Sequence, residues 1–180
     1  YKKGFLPRIH CFLLTSFSGP PATMAVADIL NGAYPGKAHA RRVVDYIRTK
    51  TSSAEGLFFL VGAPESFYNN TDMTIPFRQR RSFMYLSGVT LPDCHMIYDI
   101  SSERTTLFIP PVDAEDILWS GMPSPPEELL AKYDIDAVLP NTDLQATLDV
   151  IGQKVYQNNG TAFTFSDHHE YDISLPKGLK

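Results

Sequence analysis

The chain has 180 residues, a length typical of one domain with a sizeable core. Hydrophobic residues make up 43% and charged residues 20% of it, which is ordinary for a globular fold. The net charge of −4 at pH 7 argues against a protein that collects nucleic acid, and no apolar run approaches the roughly 20 residues that cross a bilayer. We therefore expect neither a nucleic-acid partner nor a membrane partner.

The two cysteines, Cys11 and Cys94, are isolated and far apart. Without a CxxC pair they give no support to a zinc module or to a disulfide framework. Unpaired cysteines are easier to explain in a reducing compartment than in an oxidising one, so we expect a cytoplasmic protein. Targeting to an organelle by the N-terminal segment stays open.

The first 28 residues are interpreted as a separate N-terminal extension. From Tyr1 to Ala27 there are three basic residues and no acidic one, around the short apolar run IHCFLL. This pattern is typical of an organelle presequence or a weak signal peptide. The alternatives are an expression artefact or a start assigned upstream of Met24. A chain that opens on Tyr1 also suggests a fragment of a longer protein.

The first half of the chain predicts one helix and then several strands. In YPGKAHARRVVDYIRTK a helix begins after Pro35 and Gly36, and its apolar stripe at i, i+3, i+4 and i+7 consists of Ala40, Val43, Val44 and Ile47. The run GLFFLVG, residues 56–62, predicts a buried strand, and FMYLSGV, residues 83–89, predicts a second one. HMIYDI and TTLFIPP flank the turn 101–104 and predict a hairpin that Pro110 and Pro111 close.

The second half predicts two helices from their first residues. The sequence SPPE at 124–127 fits a capping box with prolines in the first turn, and TDLQ at 142–145 fits another. We expect the second of these helices to end at Gly152. The runs DAVL, KVYQ and TAFTF predict further strands. Helices interleaved with hairpin and crossover strands give an α/β layer fold with a mixed sheet.

No group of residues indicates a complete catalytic or metal site, so we assign no catalytic residue and no metal ligand. The chain has no GxSxG, no HExxH and no phosphate-binding glycine loop. Its histidines are scattered, at His10, His39, His95, His168 and His169. SDHHEYD, residues 166–172, pairs two of them with acids, but neighbours on a strand point to opposite faces, so a solvated segment is favoured over a metal site.

Several single residues have simpler explanations than a functional site. Cys94 precedes His95, but sequence neighbours are poorly placed to act as nucleophile and base, so we expect Cys94 to pack in the core. Asp99 lies on a strand suited to an RNase H-like nuclease, but no second and third acid accompany it. The sequons at Asn69 and Asn159 match a glycosylation pattern that is common by chance.

The segment PFRQRRSFMYLSGV sets three arginines, Arg78, Arg80 and Arg81, against an apolar run. A polyanion-binding surface, an active-site cluster and a structural joint would each explain it, and the negative net charge weakens the first. We favour a structural joint whose apolar members enter the core, namely Phe77, Phe83, Tyr85 and Leu86. At least one arginine is then expected to make a partly buried contact with a carboxylate or carbonyl.

Five phrases at consistent spacing carry a resemblance to a known family: YPGKAHARRV, PFRQRRSFMYLSGV, LPDCHMIYDI, TTLFIPPVDAEDILWSGMP and EELLAKYDIDAV. Together they resemble the N-terminal domain of fungal-type Xaa-Pro aminopeptidases and Xaa-Pro dipeptidases, the aminopeptidase P and prolidase branch of the creatinase-like "pita-bread" metallopeptidases. The resemblance covers residues 29–151, and we assign residues 29–180 to this domain. It implies an RNase H-like α/β fold with a mixed sheet, expected to have six strands, and helices on both faces.

The resemblance also implies a function for the longer protein. In this family a second, C-terminal catalytic domain holds two manganese ions, and its ligands, two Asp, one His and two Glu, are absent from these 180 residues. The expectation is a non-catalytic N-terminal domain of a manganese-dependent Xaa-Pro aminopeptidase, which removes the residue before proline. The domain would need no cofactor of its own, pack with its own catalytic domain, support a homodimer and help bind a proline-containing peptide.

One residue can be matched to a family role. In the family the tryptophan of a W-x-G phrase reaches the active site of the partner subunit, and here the phrase is LWSG with Trp119, the only tryptophan. Trp119 is therefore the expected substrate-binding residue, in trans, while composition alone would favour a core or interface tryptophan. Three alternatives stay open: the same domain of a prolidase, a non-enzymatic interaction module such as the relatives found in a histone chaperone, and a truncated gene product.

Overall fold

The computed structural model describes residues 32, 34–50, 55–112, 114–158 and 160–164, and gives only the backbone of residues 116, 119 and 120. The expected extension 1–28 lies outside these residues, as do His10, Cys11, the SDHHEYD segment and Asn159. Residues 1–32 and residues 33–180 are separate units, and the fold that follows is that of the second unit.

The described part of this unit forms five helices, five strands and one 3₁₀ turn, Asn141–Asp143. In chain order the elements are α1 (Gly36–Arg48), β1 (Gly56–Val61), α2 (Arg81–Ser87), β2 (His95–Asp99), β3 (Arg104–Ile109), α3 (Ala114–Ser120), α4 (Pro126–Lys132), β4 (Ala137–Pro140), α5 (Leu144–Gln157) and β5 (Thr161–Phe163). Among these helices none has the length and apolar character that crossing a membrane requires.

The five strands form one mixed sheet in the order β4-β3-β2-β1-β5. The hairpin of β2 and β3 is antiparallel, with Met96 opposite Leu107, and β2 is also antiparallel to β1. The two outer pairs, β3 with β4 and β1 with β5, are parallel and therefore need crossover connections. The mixed sheet and the predicted hairpin are confirmed, while the sixth strand expected from the family is not among the described residues.

Strand β1 shows why helices cover both faces of the sheet. All six of its residues are buried, and successive side chains point to opposite faces. Phe58 and Leu60 pack into a cluster with α1, α2 and α4, whereas Leu57 and Phe59 pack into a second cluster with α5. Because each such side chain gains roughly 1.5–3 kcal/mol on burial, these two clusters fix the sheet between two layers of helices.

Helix α1 has the apolar stripe that its sequence predicts. Ala40 and Val44 are buried, and Val43 and Ile47 pack against the same cluster. The prediction of this helix is confirmed. On its exposed side Arg41 donates to Glu103 at 2.8 Å, which links the helix to the turn of the hairpin.

The second predicted strand is wrong, because FMYLSGV forms most of helix α2 instead. Phe83 and Leu86, one helical turn apart, are the side chains that enter the core. Gly88 ends the helix in the left-handed region, with φ 71°, and its N–H donates to the Met84 carbonyl. The Ser87 hydroxyl donates to the Phe83 carbonyl and accepts from the Val89 N–H. A glycine after two turns of apolar residues thus marked a helix end.

Helix α5 does not end at Gly152, and KVYQ is not a strand. Gly152 is buried within the helix, one turn after Leu148 and nearly one turn before Val155. These residues follow Leu144 on the face that packs on the sheet, so the stripe continues to Gln157. The expected capping boxes are also absent: the N-caps of α4 and α5 are Pro125 and Asp143, and neither makes a side-chain capping bond.

The arginine segment buries only some of the apolar side chains that we expected in the core. Phe83 and Leu86 are buried, but Phe77 is 38% and Tyr85 43% exposed, so these two do not enter the core. Arg80 is half-buried at the N-cap of α2, whereas Arg78 and Arg81 are exposed. The expected contact of an arginine with a carboxylate or carbonyl stays a prediction.

Candidate functional site

An apolar groove of about 660 Å³ lies where β3 and β4 end and β2 begins. The end of β3 and the residues after it, 109–112, and the segment 122–126 form two of its sides. Leu129 of α4 and Cys94, which precedes β2, contribute buried side chains to the lining. Seven of the lining residues are prolines, namely Pro92, Pro110, Pro111, Pro123, Pro125, Pro126 and Pro140. Prolines have a fixed φ, so the walls of this groove are stiff.

Helix α3 connects the two proline-containing walls of the groove. Its backbone spans Ala114–Ser120 and includes Trp119, whose side chain lies outside the described part of the chain. The expected role of Trp119 stays a prediction. Beside it Leu118 is 83% exposed, and Met122, just after the helix, is 76% exposed. Large exposed apolar side chains are typical of a surface that another group covers.

The sequence did not predict the groove, although it showed several of the prolines that line it. The prolines at 110–111 were interpreted as the end of a hairpin, and those at 125–126 as the start of a helix. Both interpretations hold locally. The groove exists because β3 and β4 are parallel neighbours, which brings Ile109 opposite Pro140 across a separation of about 30 residues. Pairing of distant strands is not a local property of a sequence.

A small polar network closes the sheet edge beside the groove. His95 Nδ1 lies 3.2 Å from Asn141 Oδ1, and Asn141 Nδ2 donates to the Asp93 carbonyl at 2.9 Å. The His95 ring stacks on Phe59 with the two planes 5° apart. Burial lowers the pKa of His95, against the opposing effects of Asn141 and Asp93. His95 and Asn141 thus join the start of β2 to the turn after β4.

Cys94 is a core residue, as predicted. It has no exposed surface, and burial, followed by the charge of Asp93, raises the pKa of its thiol to about 12. Since the thiolate is the reactive form, this cysteine is not a nucleophile at neutral pH. Its place in the groove lining is that of an apolar wall.

Asp99, the acid considered for a nuclease site, is held by its own turn. It accepts from the Ser101 N–H at 2.9 Å and from the hydroxyls of Ser101 and Ser102, and Lys154 Nζ lies 3.5 Å away. Burial acts to raise its pKa, but these hydrogen bonds and Lys154 outweigh it and lower the pKa. The carboxylate therefore stabilises the β2–β3 turn.

The described residues do not fit a metal centre. Within them no three His, Cys, Asp or Glu side chains are grouped closely enough to hold an ion. The two described histidines have separate environments: His95 faces Asn141, and His39 Nδ1 lies 2.9 Å from the Tyr85 carbonyl. A dinuclear centre of the kind expected for the longer protein needs several carboxylates and an imidazole in one place.

A comparison with protein families gives one match over most of this fold. The model described as "Aminopeptidase P, N-terminal domain" matches residues 39–158, which is 120 of the 180 residues. The matched range begins within α1 and ends just after α5.

Curated relatives from fungi match the same region. A protein of Verticillium alfalfae named "Probable Xaa-Pro aminopeptidase" is 47% identical over 139 residues, covering 77% of this chain and 30% of the relative. A relative of the same name with the suffix pepP, from Talaromyces marneffei, is 44% identical over 147 residues, covering 82% of this chain and 31% of the relative. The chain thus spans about 30% of the length of the curated relatives it matches.

Solved structures support the fold alone. Aminopeptidase PepP of Pseudomonas aeruginosa superposes with a TM-score of 0.52 at 24% identity, covering 67% of this chain and 27% of that one. A zinc-substituted aminopeptidase P of Escherichia coli in complex with product gives 0.51 at 19% identity, covering 78% and 31%. In both comparisons the similarity is confined to less than a third of the longer protein.

Proposed function

Because the chain belongs to the family of aminopeptidase P N-terminal domains, we propose that it is the non-catalytic N-terminal part of a longer Xaa-Pro aminopeptidase. The longer protein would remove the N-terminal residue of peptides whose second residue is proline. The observation that carries this proposal is the match over residues 39–158, together with fungal relatives of 42–47% identity that bear the Xaa-Pro aminopeptidase name. Their greater length leaves ample room for a separate catalytic domain.

The two manganese ions of the active enzyme belong, in this proposal, to the catalytic domain. They would generate the nucleophilic hydroxide and polarise the peptide carbonyl. This domain would then hold no metal ion of its own. What this domain contributes is shape and an apolar surface.

We propose that α3 and the apolar groove form a wall at the substrate entrance of a homodimer. Trp119 would reach the partner subunit's active site and pack on the peptide, because indole offers a large apolar area at a small cost in conformational entropy. The exposed Leu118 and Met122 support this proposal, since they are large apolar residues within three positions of Trp119 in the chain. The stiff proline-containing walls would hold α3 in position against the rest of the enzyme.

The experiment compares the 180-residue chain with the full-length protein that contains it. With manganese added, we expect the full-length protein to cleave an Xaa-Pro-Xaa tripeptide and the 180-residue chain to give no turnover above a metal-only control. A full-length protein that cleaves only Xaa-Pro dipeptides would indicate a prolidase instead. Absence of any peptidase activity, with a stable protein complex in its place, would favour an interaction module.

Trp119→Ala in the full-length protein tests the entrance separately. We expect a decrease in kcat/KM of about tenfold or more with the dimer intact, since the variant loses packing on the substrate and not the metal centre. The matched control is Tyr156→Ala, which removes an aromatic side chain that is 58% exposed on α5. Equal kcat/KM for both variants and the parent would contradict the role of Trp119, and a monomeric active parent would contradict action in trans.

A further inference from the structure

A second, shallower pocket of about 490 Å³ lies beside the N-terminal end of α2, and we call it the arginine pocket. Its charged side chains are Arg78 and Arg81, and its apolar surface comes mainly from Tyr34, Phe77 and Tyr85. It shares no lining residue with the apolar groove. Two cationic side chains and exposed aromatic rings thus surround one concave surface.

Both guanidinium groups of the arginine pocket are available to a ligand. Arg78 and Arg81 are exposed, and among the described residues no carboxylate is within ion-pair distance of either. On α1, in contrast, Arg41 pairs with Glu103 at 2.8 Å and Arg48 with Asp45 at 3.5 Å. Two neighbouring exposed arginines without a described acidic partner give this pocket a local positive charge in a chain whose net charge is −4.

The backbone that carries these arginines is held by the side chain of Gln79. Gln79 Oε1 accepts from the Ala63 N–H at 2.7 Å and from the Arg80 N–H at 3.0 Å. Gln79 Nε2 donates to the Leu91 carbonyl at 2.9 Å. Gln79, which lies between Arg78 and Arg81 in the chain, is therefore tied to the loops after β1 and before β2, so the stems of the two arginines start from a fixed position.

The aromatic wall of the pocket is also pre-formed. The Tyr85 ring stacks on the His39 ring with centroids 4.4 Å apart and planes within 7°. The Tyr85 carbonyl accepts from the Tyr34 hydroxyl at 3.1 Å and from His39 Nδ1, which must carry the hydrogen because a carbonyl only accepts. A wall fixed by these contacts loses little freedom when a ligand packs against it.

We propose that the arginine pocket binds an organic anion with an aromatic body. The carboxylate or phosphate pairs with the guanidinium groups of Arg78 and Arg81, and the ring lies against Tyr34 and Phe77. Guanidinium groups suit this role because their planar N–H donors match carboxylate and phosphate oxygens, and the aromatic rings supply an apolar contact. This proposal does not depend on the peptidase activity of the longer protein.

The test is a two-dimensional ¹H–¹⁵N NMR titration of the 180-residue chain with four probes: N-acetylphenylalanine, its uncharged amide, phenyl phosphate and inorganic phosphate. We expect at least one of the two aromatic anions to shift the amide signals of residues 77–85 at millimolar concentration. The amide lacks the negative charge, and inorganic phosphate lacks the aromatic ring. Each should therefore bind at least about tenfold more weakly than the preferred aromatic anion. The aromatic anion that binds more tightly would show whether the ligand carries a carboxylate or a phosphate.

Arg78→Ala and Arg81→Ala should each weaken binding of the preferred probe by about tenfold, and both are exposed positions at which folding is preserved. The matched control is Arg42→Ala, an exposed arginine of α1 outside the pocket, which should bind the probe like the parent. The ¹H–¹⁵N spectrum of each variant reports whether it is folded. The proposal is overturned if no probe binds, if the amide binds as well as the anion, or if Arg42→Ala weakens binding as much as the pocket variants.

Discussion

Lys37 Nζ lies 2.7 Å from Asp136 Oδ1, and this contact joins the first turn of α1 to the residue that precedes β4. The other oxygen of Asp136 accepts from the N–H of the buried Thr105 at 2.8 Å, so one carboxylate connects a helix, an inner strand and an edge strand. The backbone N–H of Lys37 also donates to Asp134 at 3.0 Å. The layer of helices and the sheet edge next to the apolar groove are thereby held together.

We expect Asp136→Asn to lower the free energy of unfolding by about 1–2 kcal/mol at pH 7, because an amide cannot replace the charge opposite Lys37. Burial acts to raise the pKa of Asp136, but Lys37 and the Thr105 N–H outweigh it and lower the pKa. A lowered pKa in the folded state gives stability that is present above the unfolded value, about 3.9, and lost as the pH falls through the folded value. The difference between parent and variant should therefore shrink below about pH 4.

Urea unfolding at pH 7 and at pH 3 measures both effects. Asp149→Asn is the control, since Asp149 is exposed on α5 and accepts from Gln145 one turn away. We expect this control to stay within about 0.5 kcal/mol of the parent. A loss for Asp136→Asn that is as large at pH 3 as at pH 7 would mean that the carboxylate charge is not what stabilises the contact.

Gly88 and Gly121 provide a matched pair of substitutions. Both have positive φ, 71° and 79°, so an alanine at either position is disfavoured by about 1–2 kcal/mol. At Gly88 the new Cβ would also lie 2.5 Å from Tyr34 Cδ1, whereas at Gly121 no atom of the described side chains and backbone lies within 4 Å. We expect Gly88→Ala to lose at least about 1 kcal/mol more than Gly121→Ala, because the Tyr34 ring has to move.

Thermal or urea unfolding of the two variants gives the comparison directly. The NMR signals around Tyr34 and Tyr85 should shift in Gly88→Ala and stay in place in Gly121→Ala, since the Tyr34 hydroxyl donates to the Tyr85 carbonyl. Equal losses for the two glycines would show that the backbone angle alone determines the cost.

The region before Gly88 illustrates which parts of the fold could be predicted from the sequence and which could not. Helix α1, strand β1 and the β2–β3 hairpin follow from local periodicity, and each is present. The run FMYLSGV was ambiguous, because a short apolar run fits a buried strand and a buried helix equally well. Only the left-handed glycine that follows distinguishes them, and its φ is a property of the folded chain.

The end of helix α5 was ambiguous for a similar reason. Gly152 is a helix-interior glycine on a packed face, and its sequence signal is the same as that of a terminal glycine.

The two functional surfaces depend on residues that are far apart in the chain. The apolar groove depends on parallel pairing of β3 and β4, and the arginine pocket on the approach of Tyr34 to Tyr85 across 51 residues. Neither juxtaposition can be derived from spacing along the chain. The expected role of Trp119 came from family resemblance and not from a physical pattern.

We expect Gln79→Ala to lower the free energy of unfolding by about 2–3 kcal/mol, since each of its three hydrogen bonds contributes about 1 kcal/mol. Gln79→Glu is the sharper variant. Its carboxylate can still accept from the Ala63 and Arg80 N–H groups but faces the Leu91 carbonyl without a donor. Protonation restores a donor, so the deficit of Gln79→Glu relative to the parent should decrease as the pH falls from 7 to 4.

Urea unfolding at the two pH values measures this change, with Gln153→Ala on the exposed side of α5 as the control. The control should remain within about 0.5 kcal/mol of the parent. If Gln79→Ala behaved like Gln153→Ala, the side chain would not be tying the two loops together.

Cys94 offers a chemical measure of how closed the apolar groove is. With a pKa of about 12, about one thiol in ten thousand is ionised at pH 8, and the side chain has no exposed surface. In a Cys11→Ser background, which leaves Cys94 as the only thiol, we expect Ellman's reagent to modify the folded chain at least a hundredfold more slowly than the chain in concentrated urea. Slow modification would mean that the groove wall opens rarely. Modification at nearly the unfolded rate would mean that residues 91–94 separate from α4 under native conditions, and the groove could then not act as a rigid support for α3.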